Sequence, residues 1–213
     1  GLCDQGLVLM TTSNQAPDDL YRNGLQRAQF LPAIDLLKEH LEIVQIDGGA
    51  DYRLRALEKG GVFHFPVDAR ADAAMATTFE AIAGSQGERD VELDIEGRTI
   101  RALRIGPGVA WFRFEALCDG PRGQADYIEL ARRYHTVLIS EVRGLGVGEG
   151  DRRRRLTWLI DEFYDRRVKL IISADTQLTG LLQAAPGEIE VERTASRLVE
   201  MQTHQYLSEA HLA

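Results

Sequence analysis

The sequence predicts an α/β protein: a parallel sheet with a β-meander set into it. Two short, unbroken apolar runs, LVLMT at 7–11 and VKLIISA at 168–174, each lead into a small polar tip. Such runs suit strands covered on both faces. A strand, a helical stretch and a second strand follow one another between residues 135 and 174. That order is a βαβ unit, whose strands pair in parallel. Between the two regions, VELDI, TIRALRI and VAWFRF follow in close succession at 91–95, 99–105 and 109–114. Glu96-Gly97 and Gly106-Pro107-Gly108 separate them, which are hairpin signals.

Taken in order, the elements are as follows. Leu7–Thr11 is a strand, and Pro17-Asp18-Asp19 a turn and helix start. Leu31, Ile34, Leu37 and Leu41 fall at helical spacing, so a helix is expected over 31–40. EIVQID at 42–47 is a short strand stopped by Gly48-Gly49, and GVFHFP at 61–66 another. Residues 72–83 are an Ala-rich helix with Met75, Phe79 and Ile82 on one side. After the meander come a helix at 126–134, the strand TVLISEV, a glycine-rich stretch at 144–150 and a helix at 151–166. Leu156, Leu159, Ile160 and Phe163 form that helix's stripe. The strand at 168–174 and a helix at 196–206 close the chain, the latter with Leu198, Met201, Gln202 and Tyr206 inward. Three regions are expected: 1–60, a β-rich insertion at 61–118, and an α/β unit at 119–213.

Composition narrows the function classes. The chain has 213 residues, 44% hydrophobic and 27% charged, as in ordinary globular proteins. A net charge of −8 argues against sequence-independent nucleic-acid binding, which calls for a basic surface. Cys3 and Cys118 form no CxxC pair, and the five histidines show no ligand spacing; both fit a reduced, cytoplasmic setting. No apolar run is long enough to span a membrane, and no signal peptide is visible. The chain starts at Gly1 rather than Met and reads as a piece of a longer protein.

Two polar residues near the start carry candidate chemistry. Asn14 lies just past the carboxyl end of the first strand, where open parallel sheets bind ligands. An amide there can orient a water by donating one hydrogen bond and accepting another. The alternative is a helix cap or Asx-turn made by Ser13 and Asn14. Arg27 offers a planar cationic fork that pairs with phosphate oxygens. The alternative is a surface arginine paired with Asp18 or Asp19.

The segment TTSNQAPDDLYRNGLQRAQFLPAI resembles the sensor-1 to arginine-finger region of the ZapE family of AAA+ ATPases, which has mitochondrial relatives. DGGADYRLRAL, FEALCDGPRGQADYIELARRYHTVLISEV, LIDEFYDRRVKLIISA and ERTASRLVEMQTHQYL continue the likeness, with a looser zone at 61–105. The resemblance implies the remainder of a P-loop (AAA+) core with the meander as an insertion and the βαβ unit at the end. By it, Asn14 is the sensor-1 residue and Arg27 an arginine finger acting in trans within a homo-oligomeric ring. Arg53 and Arg197 become candidates for nucleotide sensing or subunit contacts, against ordinary structural ion pairs. It also implies ATP with Mg²⁺ and a protein partner linked to bacterial cell division. The family's GxxxxGK[ST] loop, which holds the phosphates, does not occur in these 213 residues. The 213 residues alone are therefore expected to be inactive.

Other features compete with that reading. GLGVGEG at 144–150 lacks GK[ST] and reads as a flexible connector. Glu141 ends the TVLISEV strand as an acidic residue without a phosphate loop beside it. Asp151-Arg152-Arg153-Arg154-Arg155 is the most basic run; nucleic acid or an acidic, peripheral membrane surface would suit it, as would a solvated helix face. A non-enzymatic protein-interaction module is the alternative from another class.

Overall fold

The computed structural model describes residues 11, 13, 16–20, 27–44, 52–146, 148–183 and 188–213. They fall in two compact units, residues 1–48 and 49–213. The expected strand at 7–11 lies outside the described residues except for Thr11.

In the first unit, Pro17–Asp19 form a 3₁₀ turn and α1 runs Arg27–His40. The helix starts earlier than its apolar spacing suggests and continues through Pro32, which has no N–H to offer the preceding turn. Lys38 and His40 lie in its last turn, where cations complement the helix dipole. Glu42–Val44 do not form the strand expected at 42–47; Ile43 and Val44 are 51% and 69% exposed, so no neighbouring strand covers them.

The second unit opens with α2 (Tyr52–Gly60), then β1 (Phe63–His64) and α3 (Ala69–Ala83). Asp68 caps α3 by accepting from the N–H groups of Arg70 and Ala71, and Gly84 ends it in the left-handed conformation. The meander follows as β2 (Glu88–Ile95), β3 (Arg98–Gly106) and β4 (Val109–Arg113). Then come α4 (Phe114–Cys118), α5 (Gln124–Arg133), β5 (Thr136–Val142), α6 (Gly150–Asp165) and β6 (Lys169–Ala174). The single helix expected at 196–206 is two, α7 (Ile189–Glu200) and α8 (His204–Ser208), because the Thr203 hydroxyl caps a fresh start by accepting from the Tyr206 N–H.

The six strands among the described residues form one sheet in the order β1-β6-β5-β4-β3-β2. β1, β6, β5 and β4 run parallel; β4, β3 and β2 are joined antiparallel. The sheet therefore runs across the boundary expected at 118/119: β4, the last strand of the meander, pairs directly with β5 from Val109↔Thr136 to Arg113↔Ser140. Gly108 makes this close approach feasible, since its φ is 70° and a β-carbon there would sit 2.4 Å from the His135 ring.

Strand alternation divides the core in two. Ala110, Phe112, Val137, Ile139, Leu170 and Ile172 point to one face, onto α4, α5 and α6. Val109, Trp111, Leu138 and Ile171 point to the other, with Leu57 of α2 and Met75, Phe79 and Ile82 of α3. β4, β5 and β6 are thus covered on both sides, which is why each reads as a nearly continuous apolar run. Tyr206 ties α8 to this core: its hydroxyl lies 3.2 Å from the carbonyls of Phe163 and Val168, and Lys169 Nζ donates to the Tyr206 carbonyl at 2.7 Å.

The β2–β3 turn is fastened to α5 through a buried carboxylate. Asp126 is fully buried, accepts from Arg98 Nη1 at 2.7 Å and from the Gly123 N–H at 2.7 Å. Replacing it removes a helix cap and leaves those donors without an acceptor. Asp126→Ala is expected to lower stability by about 2–3 kcal/mol, read as a reduced midpoint in urea unfolding.

Candidate functional site

Arg27 is the first residue of α1. Its Nη2 donates to the main-chain carbonyl of Asp18 at 2.6 Å. Its Nε is buried and finds no hydrogen-bond acceptor. Asp18 spends its carboxylate elsewhere, on Lys38 Nζ at 2.8 and 3.1 Å. That hydrogen bond and the carboxylate's charge raise the Lys38 pKa above its ordinary 10.5. So Arg27 does contact Asp18, but through the backbone rather than as an ion pair. Asn14 lies outside the described residues.

Arg53 and Arg197 belong to the second unit and are not brought together. Arg53 sits in the first turn of α2, its guanidinium 5.8 Å from the Tyr52 ring centre. α2 packs on α3, over one face of the sheet. Arg197 lies on α7, which packs on α6 over the opposite face. It bonds Asp161 Oδ1 at 3.0 Å and Asp165 Oδ1 at 3.2 Å, and stacks 4.7 Å from the Tyr164 ring centre. Thr194 Oγ1 donates to the same Asp161 at 3.0 Å. In this structure Arg197 clasps α6 to α7.

The carboxyl ends of β5 and β6, where an open sheet would take a ligand, are covered by the chain itself. The Gly144 N–H donates to Asp175 Oδ1 at 2.9 Å and the Asp175 N–H to the Val142 carbonyl at 3.0 Å. Leu145 is fully buried and forms a parallel bridge with Leu182. The start of the glycine-rich stretch is therefore an anchored cover, not the flexible connector its composition suggests. Glu141 stands at this edge with a left-handed φ of 62°; its N–H donates to Ser173 Oγ at 3.2 Å and its carboxylate pairs with Arg113 at 2.7 Å.

The basic run opening α6 is spent inside the molecule. Arg152 pairs with Asp119 at 2.6 Å, Arg153 with Glu188 at 2.6 Å, and Arg154 with Asp151 at 2.8 Å; Arg155 donates to the Cys118 carbonyl at 3.1 Å. Each of these four arginines thus has a partner within the chain. An open depression of about 520 Å³ lined by Arg132, Glu162, Asp165, Arg166, Leu212 and Ala213 includes none of the candidate residues. Among the described residues, no group of three or more His, Cys, Asp or Glu side chains is placed to hold a metal. Nor is any described helix long and apolar enough to cross a membrane.

The second unit is thus an α/β sheet domain in which the ends of β5 and β6 are covered and Arg197 and the arginines opening α6 are paired, and the first carries an arginine at a helix start. The profile of the AFG1-like ATPases matches residues 1–210, and the chain belongs to that family. It is 40% identical to the cell division protein ZapE of Escherichia coli K12 over 209 residues, covering 98% of this chain and 56% of that protein. It is 36% identical to lactation elevated protein 1 homolog B of Danio rerio, covering 97% of this chain and 48% of the relative. An uncharacterized protein of Schizosaccharomyces pombe, C115.02c, is 34% identical over 88% of this chain and 42% of its own length. The chain thus spans about half the length of these relatives. No solved structure matches.

One titratable group in the second unit departs downward. His64, at the end of β1, has a buried Nε2 without a partner, and burial holds its pKa below the ordinary 6.5 against a hydrogen bond with the Gly61 backbone. The unfolded chain therefore takes up this proton first, and stability present above pH about 6.5 is lost as pH falls through the folded value. The melting temperature is expected to drop between pH 7.5 and 5.5, and to drop less in His64→Gln.

Proposed function

We propose that this chain is the part of an ATP-hydrolysing AAA+ protein that supplies an arginine to phosphoryl transfer. The phosphate-binding loop and the Mg²⁺-holding acids would come from sequence outside these 213 residues, which contain no GxxxxGK[ST]. The observation that carries the reading is the family match over residues 1–210, on which Arg27 falls at a helix start with its fork tied by a single carbonyl. A guanidinium held at a helix start can be offered to the γ-phosphate of ATP on a neighbouring copy. There it would stabilise the charge that develops as the phosphoryl group transfers. Asn14, just past the apolar run LVLMT, would orient the attacking water. Arg53 and Arg197 are weaker candidates for nucleotide sensing, Arg197 least of all given its three contacts on α6. A cytoplasmic homo-oligomer that couples hydrolysis to remodelling of a protein partner, in cell division as the name of the Escherichia coli relative suggests, completes the proposal.

A second reading has its own support. The closed carboxyl edge and internally paired arginines of residues 49–213 suit a non-enzymatic module that docks a protein partner. The two readings separate in one experiment. Arg27→Ala, in a protein that carries the family's phosphate-binding loop, is expected to cut ATP turnover by at least a hundredfold, with ATP affinity within a few-fold of the parent. Steady-state hydrolysis and nucleotide titration measure the two. Turnover at the parent rate in the variant would exclude the arginine-finger role. These 213 residues alone are expected to show no turnover above background.

A further inference from the structure

We propose that Lys38 and Asp18 stow Arg27 on its own chain, so that this contact has to open before the guanidinium reaches a phosphate. The inference rests on the Arg27 role put forward above. Three observations define the arrangement. Arg27 Nη2 is held by the Asp18 carbonyl at 2.6 Å, Arg27 Nε is buried without an acceptor, and the Asp18 carboxylate is gripped by Lys38 Nζ at 2.8 Å. Lys38 sits about three turns further along α1 than Arg27, so it pins the 3₁₀ turn against the helix. The pinned turn is what presents the carbonyl.

The chemistry of the fork explains why this is a holding position. Nε–H and one Nη2–H of a guanidinium point the same way and together match two oxygens of a phosphate. A peptide carbonyl brings one oxygen. It takes Nη2 and leaves Nε buried and unsatisfied, a state that native structures tolerate rarely. A phosphate meets both donors at once, so the guanidinium gains an acceptor when it leaves Asp18. The clamp is also easy to open. The side chains of Lys38 and Asp18 are 43% and 71% exposed, so their attraction is weak and falls with ionic strength.

The test uses ATP turnover by the protein carrying its phosphate-binding loop, and proton exchange in the 213-residue chain. Lys38→Gln is expected to raise kcat about threefold with the KM for ATP unchanged, while Lys38→Arg stays at the parent rate. Parent turnover should rise between low salt and roughly 0.3 M KCl, and Lys38→Gln should stay flat. In the chain alone, the Arg27 Nε proton should exchange with solvent several-fold faster in Lys38→Gln, as seen in ¹⁵N-edited spectra. An unchanged or lower kcat in Lys38→Gln, or unchanged Nε exchange, overturns the stowed position. Full turnover in Arg27→Ala removes the role on which it rests, so the two failures are told apart.

Discussion

The second unit depends on the parallel pairing of β4 with β5. Without it, the chain would hold an antiparallel meander at one end and a βαβ unit at the other, each with a raw edge strand. The five registered pairs from Val109↔Thr136 to Arg113↔Ser140 join them into one sheet. They also set which residues face which helices. Trp111 and Leu138 lie side by side and meet α3, while Phe112 and Ile139 meet the helices on the opposite face. A one-residue slip would exchange those sets and put the apolar runs out of step with both layers.

The same sheet directs where chemistry is sought. Its carboxyl edge is where ligands would sit, yet Gly144, Leu145, Asp175 and Leu182 bond to one another across the ends of β5 and β6. Glu141 points from this edge only to be met by Arg113. Three of the four arginines that open α6 hold it to its neighbours: Arg152 to Asp119, Arg153 to Glu188, and Arg155 to the end of α4. Charge that looks mobile in the sequence is structural in the fold. The candidate for acting on a nucleotide is accordingly Arg27, in the other unit.

What the sequence reveals depends on how local the signal is. β5, β6 and α6 were legible because each carries an uninterrupted apolar run or a complete stripe. The turns between meander strands were marked by Glu96-Gly97 and Gly106-Pro107-Gly108, whereas α3, expected from residue 72, begins at Ala69 behind its cap Asp68. Two helices had no such mark: α2, whose nine residues YRLRALEKG hold few apolar positions, and α4, which continues from β4 with no turn residue between. The break between α7 and α8 falls at Met201-Gln202-Thr203, with neither Gly nor Pro to announce it. Strand order was out of reach, because β4 and β5 are separated in the chain by α4 and α5 and no local signal marks their pairing. At the candidate site, the role proposed for Arg27 rests on family resemblance. Its partner is a carbonyl, a group every residue has, so no side-chain pattern points to it. The apolar Leu145 amid the glycines was the overlooked clue that this loop is packed.

Native-state hydrogen exchange across residues 98–174 tests the single-sheet account most directly. If β4 and β5 bind meander and βαβ unit into one cooperative body, the slowest amides of β3, β4, β5 and β6 should open with the same free energy and the same denaturant dependence. A meander that opens at distinctly lower free energy while β5 and β6 stay protected would contradict the account.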